Sequence, residues 1–220
     1  MLEDRPTGES DAVETPAADH KRRQILDGAR QVFLADGFDG ASMGSIAKAA
    51  GVSKGTLYSY FESKEGLFER LIQDERASLA EATFRLDADD PDTRAVLRRL
   101  GRSFLAMLIR PEHVASVRMV IGAADKLPRL GQAFYEAGPR QGMARLAAYL
   151  DRQVAAGRLA IPDTETAAQQ FLDLCGSLVM KRLMFAVSPA PDQAMAEQQV
   201  ERALVMFYSA YGPKEPSPEA

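Results

Sequence analysis

Between Lys54 and Tyr60 the chain gathers side chains suited to gripping a polyanion. They are the hydroxyls of Thr56 and Ser59, the phenols of Tyr58 and Tyr60, and the ammonium group of Lys54, with Gly55 among them. Such groups hydrogen-bond to phosphate oxygens and to the edges of bases, so the chemistry they offer is non-covalent recognition. Catalysis has far less to draw on. The two histidines, His20 and His113, are distant in the chain, and Cys175 stands among Leu174, Gly176 and Leu178 on an apolar stripe. Neither a nucleophilic triad nor a His/Cys cluster for zinc can be read from them. No enzymatic activity, metal or cofactor is therefore expected. An enzyme is thus the rival of another class that these residues do not support, and a redox role for Cys175 stands beside it, the apolar setting weighing against that role by raising the thiol pKa.

Such a set of groups needs a rigid mount, and residues 42–61, SMGSIAKAAGVSKGTLYSYF, are patterned to supply one. Ser42 is placed to cap a helix over Met43 to Ala50 whose buried stripe is Ile46, Ala47 and Ala50. Gly51 ends it, and after the turn Gly51-Val52-Ser53 a second cap, Ser53, opens a helix from Lys54 to about Tyr60, with Leu57 facing inward and Phe61 packing at its end. Two short helices joined in this way are the layout of a helix-turn-helix, whose second helix lies in the DNA major groove. A rod of about 10 Å fits a groove about 12 Å wide. Tyr58 and Tyr60 at this spacing equally suit packing, and Lys21, Arg22 and Arg23 suit either a solvated helix start or phosphate contact.

The rest of the chain is also helical in pattern. Ile25, Ala29, Val32 and Phe33 predict a helix from about His20 to Asp36, closed by Gly37. Ser63 caps a fourth helix with the stripe Leu67, Phe68, Leu71 and Ile72, running to about Phe84. Beyond LDADDPD, helices are expected over about 92–109, 112–125, 129–156, 164–187 and 192–211. No window alternates as a strand does, so the fold class is all-α.

With 46% apolar and 26% charged residues in 220, the chain can bury a core, and its single cysteine suits a reduced, cytoplasmic setting. No apolar run approaches a membrane span, and the acidic start lacks the form of a signal peptide. The net charge of −4 hides an asymmetry: residues 1–19 hold one basic against six acidic side chains, whereas 20–66 hold seven against five. Residues 1–19 and 213–220 are expected to be disordered tails.

In the larger part, Phe104, Met107, Leu108, Val117, Val120, Phe134, Tyr135, Met143 and Phe171 are the residues expected to line a cavity for an apolar ligand. Methionine there serves either as gap-filler or as adaptable lining. Gly138-Pro139 predicts a kink or break, either bordering that cavity or simply separating two helices. The last two helices carry the stripes Phe171, Leu174, Cys175 and Leu178, then Leu204, Phe207 and Tyr211.

Ile46-Ala47, Ala50 through Phe61, Lys64-Glu65 and Leu67-Phe68 together resemble the TetR/AcrR-type repressors over about residues 20–70, and Arg129 to Phe171 is similar to the C-terminal domain of the AefR-like branch. The resemblance implies a homodimeric all-α regulator with a three-helix DNA-binding head over 20–66 and a larger ligand-binding and dimerisation domain over 67–212. It places backbone contacts on Ser42, Tyr60 and Lys64 and base reading on Lys54, Thr56, Tyr58 and Ser59. This chain has Gly44 and Ser45 where the family often carries a charged residue, which puts a contact or capping box from those positions in question. The last two helices would form the dimer interface, through Leu174, Leu178, Leu204, Phe207 and Tyr211. The partners implied are double-stranded DNA with a palindromic operator, a second copy of the chain and a small hydrophobic effector that releases the DNA, with no membrane. The alternative is a helical ligand-binding or redox-sensing protein with little DNA affinity.

Overall fold

The computed structural model describes residues 16–213, which form ten α-helices and one π-helical turn. The helices are α1 (Pro16–Gly40), α2 (Met43–Ala49), α3 (Lys54–Tyr60), α4 (Lys64–Thr83), α5 (Thr93–Leu108), α6 (Pro111–Ala124), α7 (Pro128–Tyr135), α8 (Gln141–Ala155), α9 (Thr164–Met184) and α10 (Gln193–Tyr211). No strand occurs among the described residues. Of the tails expected at 1–19 and 213–220, residues 1–15 and 214–220 lie outside the described residues, while residues 16–19 form the start of α1.

The chain divides into two compact units, one through Leu67 and one from Phe68. In the first, α1 packs on α2 and α2 on α3. The core is made by Ile25, Ala29, Phe33, Ile46, Ala47, Leu57 and Leu67, all buried. Helix α1 is interrupted at Gly37, whose backbone (φ 70°, ψ 178°) is non-helical and open to glycine. The α1–α2 crossing is tight because Gly28 faces Ala50: a Cβ at Gly28 would stand 2.5 Å from the Ala50 nitrogen.

The second unit is built on α5, α8, α9 and α10. Leu97, Leu105, Leu146, Leu150, Phe171, Leu204 and Phe207 form its fully buried centre, with the Phe171 and Phe207 rings edge to face at 5.4 Å. Asp92, Asp163 and Asp192 cap α5, α9 and α10 through their carboxylates. Helix α10 is tied to α5 by the Arg98–Glu201 ion pair and by a 2.5 Å hydrogen bond between the Thr93 and Tyr208 hydroxyls.

Two expectations are corrected here. Gly138-Pro139 does not break the helix; Glu136–Arg140 is a π-helical turn that carries α7 into α8. Proline cannot donate to the usual carbonyl, and a wider turn absorbs the missing bond without ending the helix. Leu204 and Phe207, expected to be left for a second copy to cover, are only 0% and 1% exposed within this chain, because α10 packs on α5 and α9.

Candidate nucleic-acid interface and cavity

The Ser42 hydroxyl accepts the Ser45 N–H at 3.1 Å, and the Ser45 hydroxyl accepts the Ser42 N–H at 3.1 Å. This is a complete capping box, made by a serine where Glu or Gln is more usual, so the capping box in question at that position is present. At the far end of α2 the Gln24 amide donates to the Ala50 carbonyl at 2.7 Å, and Gly51 (φ 63°) turns the chain toward Ser53. Ser53 in turn accepts the Thr56 N–H at 3.0 Å and starts α3. With Leu57 fully buried, α3 has one orientation on the core.

That orientation leaves Lys54, Gly55, Tyr58 and Ser59 exposed and Thr56 and Tyr60 half-buried. A Cβ at Gly44 would lie 3.2 Å from the Lys54 Cε, so the missing side chain there leaves room for Lys54 to lie across the start of α2. The Ser59 hydroxyl donates back to the Thr56 carbonyl at 2.7 Å, which leaves its lone pairs outward. Lys64 is less free than its charge suggests. Its ammonium donates to the Phe38 and Ala41 carbonyls at 2.7 and 3.1 Å and lies 4.4 Å from the centre of the Phe38 ring. Of its three donors, one is left. At the start of α1, Lys21 bonds the Gln24 amide oxygen, and Arg23 is exposed.

The second unit contains a cavity of about 280 Å³. Of the residues expected to line it, Phe104, Met107, Leu108, Val117, Phe134 and Met143 do. Tyr135 faces outward at 50% exposure, Phe171 belongs to the packed centre, and Val120 is buried away from the cavity. Periodicity identifies a buried face; it does not say whether that face meets other side chains or a void.

The polar end of the cavity was not foreseen. Arg76 on α4 is 3% exposed and lines it together with His113. The guanidinium donates to His113 Nδ1 at 2.6 Å and to the Ser116 hydroxyl at 2.8 Å, and sits 4.3 Å from the centre of the Phe134 ring. Burial, reinforced by Arg76, pushes the His113 pKa down to about 4, so the imidazole is neutral and Nδ1 is the acceptor. A signal for Arg76 existed: it stands four residues after Ile72 and four before Ala80, both buried, so an arginine occupies the apolar stripe of α4. Gly138 in the π-turn makes room for its stem, since a Cβ there would come 3.2 Å from the Arg76 Cδ.

Of the expected dimer residues, Leu178 is 59% exposed, Leu174 and Tyr211 are half-buried, and the Tyr211 hydroxyl donates to the Gln170 side chain at 2.7 Å. Cys175 is fully buried, and burial pushes its thiol up to about 12, a setting in which thiolate chemistry is suppressed. Among the described residues no group of three or more His, Cys, Asp or Glu side chains is placed to hold a metal, and no helix is long and apolar enough to cross a membrane.

A capped helix pair presenting a polar second helix, set before a larger all-helical unit, defines a helix-turn-helix protein. Residues 25–71 match the tetR family of bacterial regulatory proteins, and residues 95–213 match the C-terminal domain of AefR-like transcriptional repressors. The chain belongs to the TetR family of transcriptional regulators. It is 29% identical to a TetR-family transcriptional regulator from Mesorhizobium loti, with a TM-score of 0.79 over 90% of this chain and 100% of that one. It is 36% identical to the flavonoid-responsive regulator FrrA, with a TM-score of 0.75 over the same shares. The transcriptional regulator UidR of Escherichia coli K12 is 47% identical over 60 residues, 27% of this chain and 31% of UidR. Such matches to curated relatives span about a third of their length.

Proposed function

We propose that the protein is a dimeric repressor that reads a palindromic operator through α3 and is released from it by a small, largely apolar effector held in the cavity of the larger unit. The observation that carries this reading is the outer face of α3: Leu57 anchors the helix while Lys54, Thr56, Tyr58 and Ser59 are left to meet base edges. Ser53 and Gly55 allow the α3 backbone a close approach, and Ser42, Tyr60 and Lys64 contact phosphates, the last with its one remaining donor. Cavity size, near the lower end of the roughly 300–1,000 Å³ of small-molecule sites, and its phenylalanine and methionine walls suit an apolar effector. The flavonoid response in FrrA's name supports an effector of that class.

Two heads reach successive major-groove faces when their recognition helices stand about 34–36 Å apart, so an effector that prefers another spacing lowers DNA affinity by mass action. No catalytic step is assigned to the chain. Mobility-shift titration against DNA upstream of its own gene, followed by binding-site selection, tests the reading. Thr56→Ala and Tyr58→Ala should alter base preference at particular positions by about 1–3 kcal/mol each, whereas Lys64→Ala should weaken binding to all sequences alike. Failure of the parent chain to prefer any sequence over bulk DNA contradicts the reading.

A further inference from the structure

The Arg76 guanidinium is a buried cation without a buried anion. Its partners, His113, Ser116 and the Phe134 ring, are all neutral, and its Nε–H has no partner at all. Two of five N–H donors are engaged, which leaves three. Glu75, the preceding residue and only half-buried, favours the charged form through space. Burial lowers the Arg76 pKa to about 10, so the group still carries its charge at neutral pH. An uncompensated charge in an apolar setting is strongly unfavourable, and native proteins normally pair it.

Apart from His113 and the exposed Gln169 and Asp173, the wall around this cation is apolar. Phe84, Phe104, Met107, Met143 and Met180 line the same cavity. The other charged lining residue, Asp173, is exposed and of opposite sign, so it disfavours a ligand with a second negative charge. We propose that the ligand of this cavity is an apolar molecule bearing one carboxylate, and that Arg76 is the residue that recognises the carboxylate. The inference rests on the reading that an effector occupies the cavity, and it narrows the chemistry of that effector. A carboxylate reaching the free edge of the guanidinium forms charge-assisted hydrogen bonds in a site shielded from water, roughly twice as strong as neutral ones, and satisfies the orphaned Nε–H.

The test compares hexanoate, octanoate, decanoate and 3-phenylpropionate with the corresponding primary alcohols, by thermal shift and calorimetry on the full chain at pH 7.5. At least one acid should bind about tenfold or more tightly than its alcohol, and Arg76→Met should abolish that preference while leaving the alcohol's affinity within a few-fold. Arg76→Lys, which keeps the charge, should retain part of it. The acid-to-alcohol comparison needs only the parent chain, so a poorly folding variant does not remove the test. Alcohols binding as well as acids throughout, no acid binding at all, or a preference that survives in Arg76→Met overturns the proposal. DNA release, measured in the same samples, separates the two readings. An acid that binds through Arg76 but leaves the operator occupied contradicts the proposed function and upholds the site. Release by a neutral compound alone does the reverse.

Discussion

At the scale of single residues, the burial of His113, reinforced by the Arg76 charge beside it, makes the second unit sensitive to pH. Burial holds the folded-state pKa of His113 near 4, below its ordinary value of 6.5, so the unfolded chain takes up a proton that the folded chain refuses. Stability therefore rises with pH across this window. The contribution is fully present above about pH 6.5 and is lost as pH falls from there through 4, a total on the order of 3 kcal/mol. The charged group against the ring is Arg76, whose own charge does not change over that range. Carboxylates elsewhere titrate at similar pH, so the informative quantity is a difference: unfolding free energy from pH 4 to 7.5 should be flatter in His113→Gln than in the parent. Parallel curves for the two proteins would contradict the assignment of a buried, neutral His113.

At the scale of elements, what could be read from the sequence was what local chemistry decides. Ser42, Ser53 and Ser63 mark helix starts because a hydroxyl can satisfy a free N–H, while Gly37 marks the interruption of α1 and Gly51 the end of α2, both at a positive φ. Contacts between elements left weaker traces. Nothing local distinguishes Gly28 from a helical glycine of no consequence, yet it is where α1 meets α2. The π-turn at Glu136–Arg140 likewise follows from how α7 and α8 share a path, and Pro139 alone predicts only that something must give way. Gly28→Ala should destabilise the first unit by about 1–3 kcal/mol, because the new methyl meets backbone that can yield only if the two helices separate. Chemical denaturation monitored by amide signals of that unit would register the loss. An unchanged midpoint would show that α1 and α2 do not approach this closely.

At the scale of the whole molecule, helical periodicity places Leu204 and Phe207 on an apolar face but cannot say whether that face is covered by the same chain or by another. The same chain covers them, and the large apolar side chains left exposed on α9 and α10 among the described residues are Leu178, Met195, Val205 and Met206, at 59%, 54%, 56% and 59% exposure. Burying side chains of this size contributes roughly 1.5–3 kcal/mol each, enough for Leu178, Val205 and Met206 to help hold two copies together if a second copy covers them. This shifts the proposed dimer contact from the buried stripe to its exposed neighbour on the same helices. Leu178→Glu combined with Met206→Glu should give a monomer in sedimentation at micromolar concentration, with a melting temperature close to that of an undimerised parent, because both positions are already solvated within the chain. Affinity for a palindromic operator should fall with it, since each head then binds alone. Leu204→Glu should behave differently, losing the folded second unit itself, because a carboxylate would be forced beside Phe171 and Phe207 with no partner. A dimer that survives the paired glutamates, or a folded monomer produced by Leu204→Glu, would show that the contact lies elsewhere on the surface.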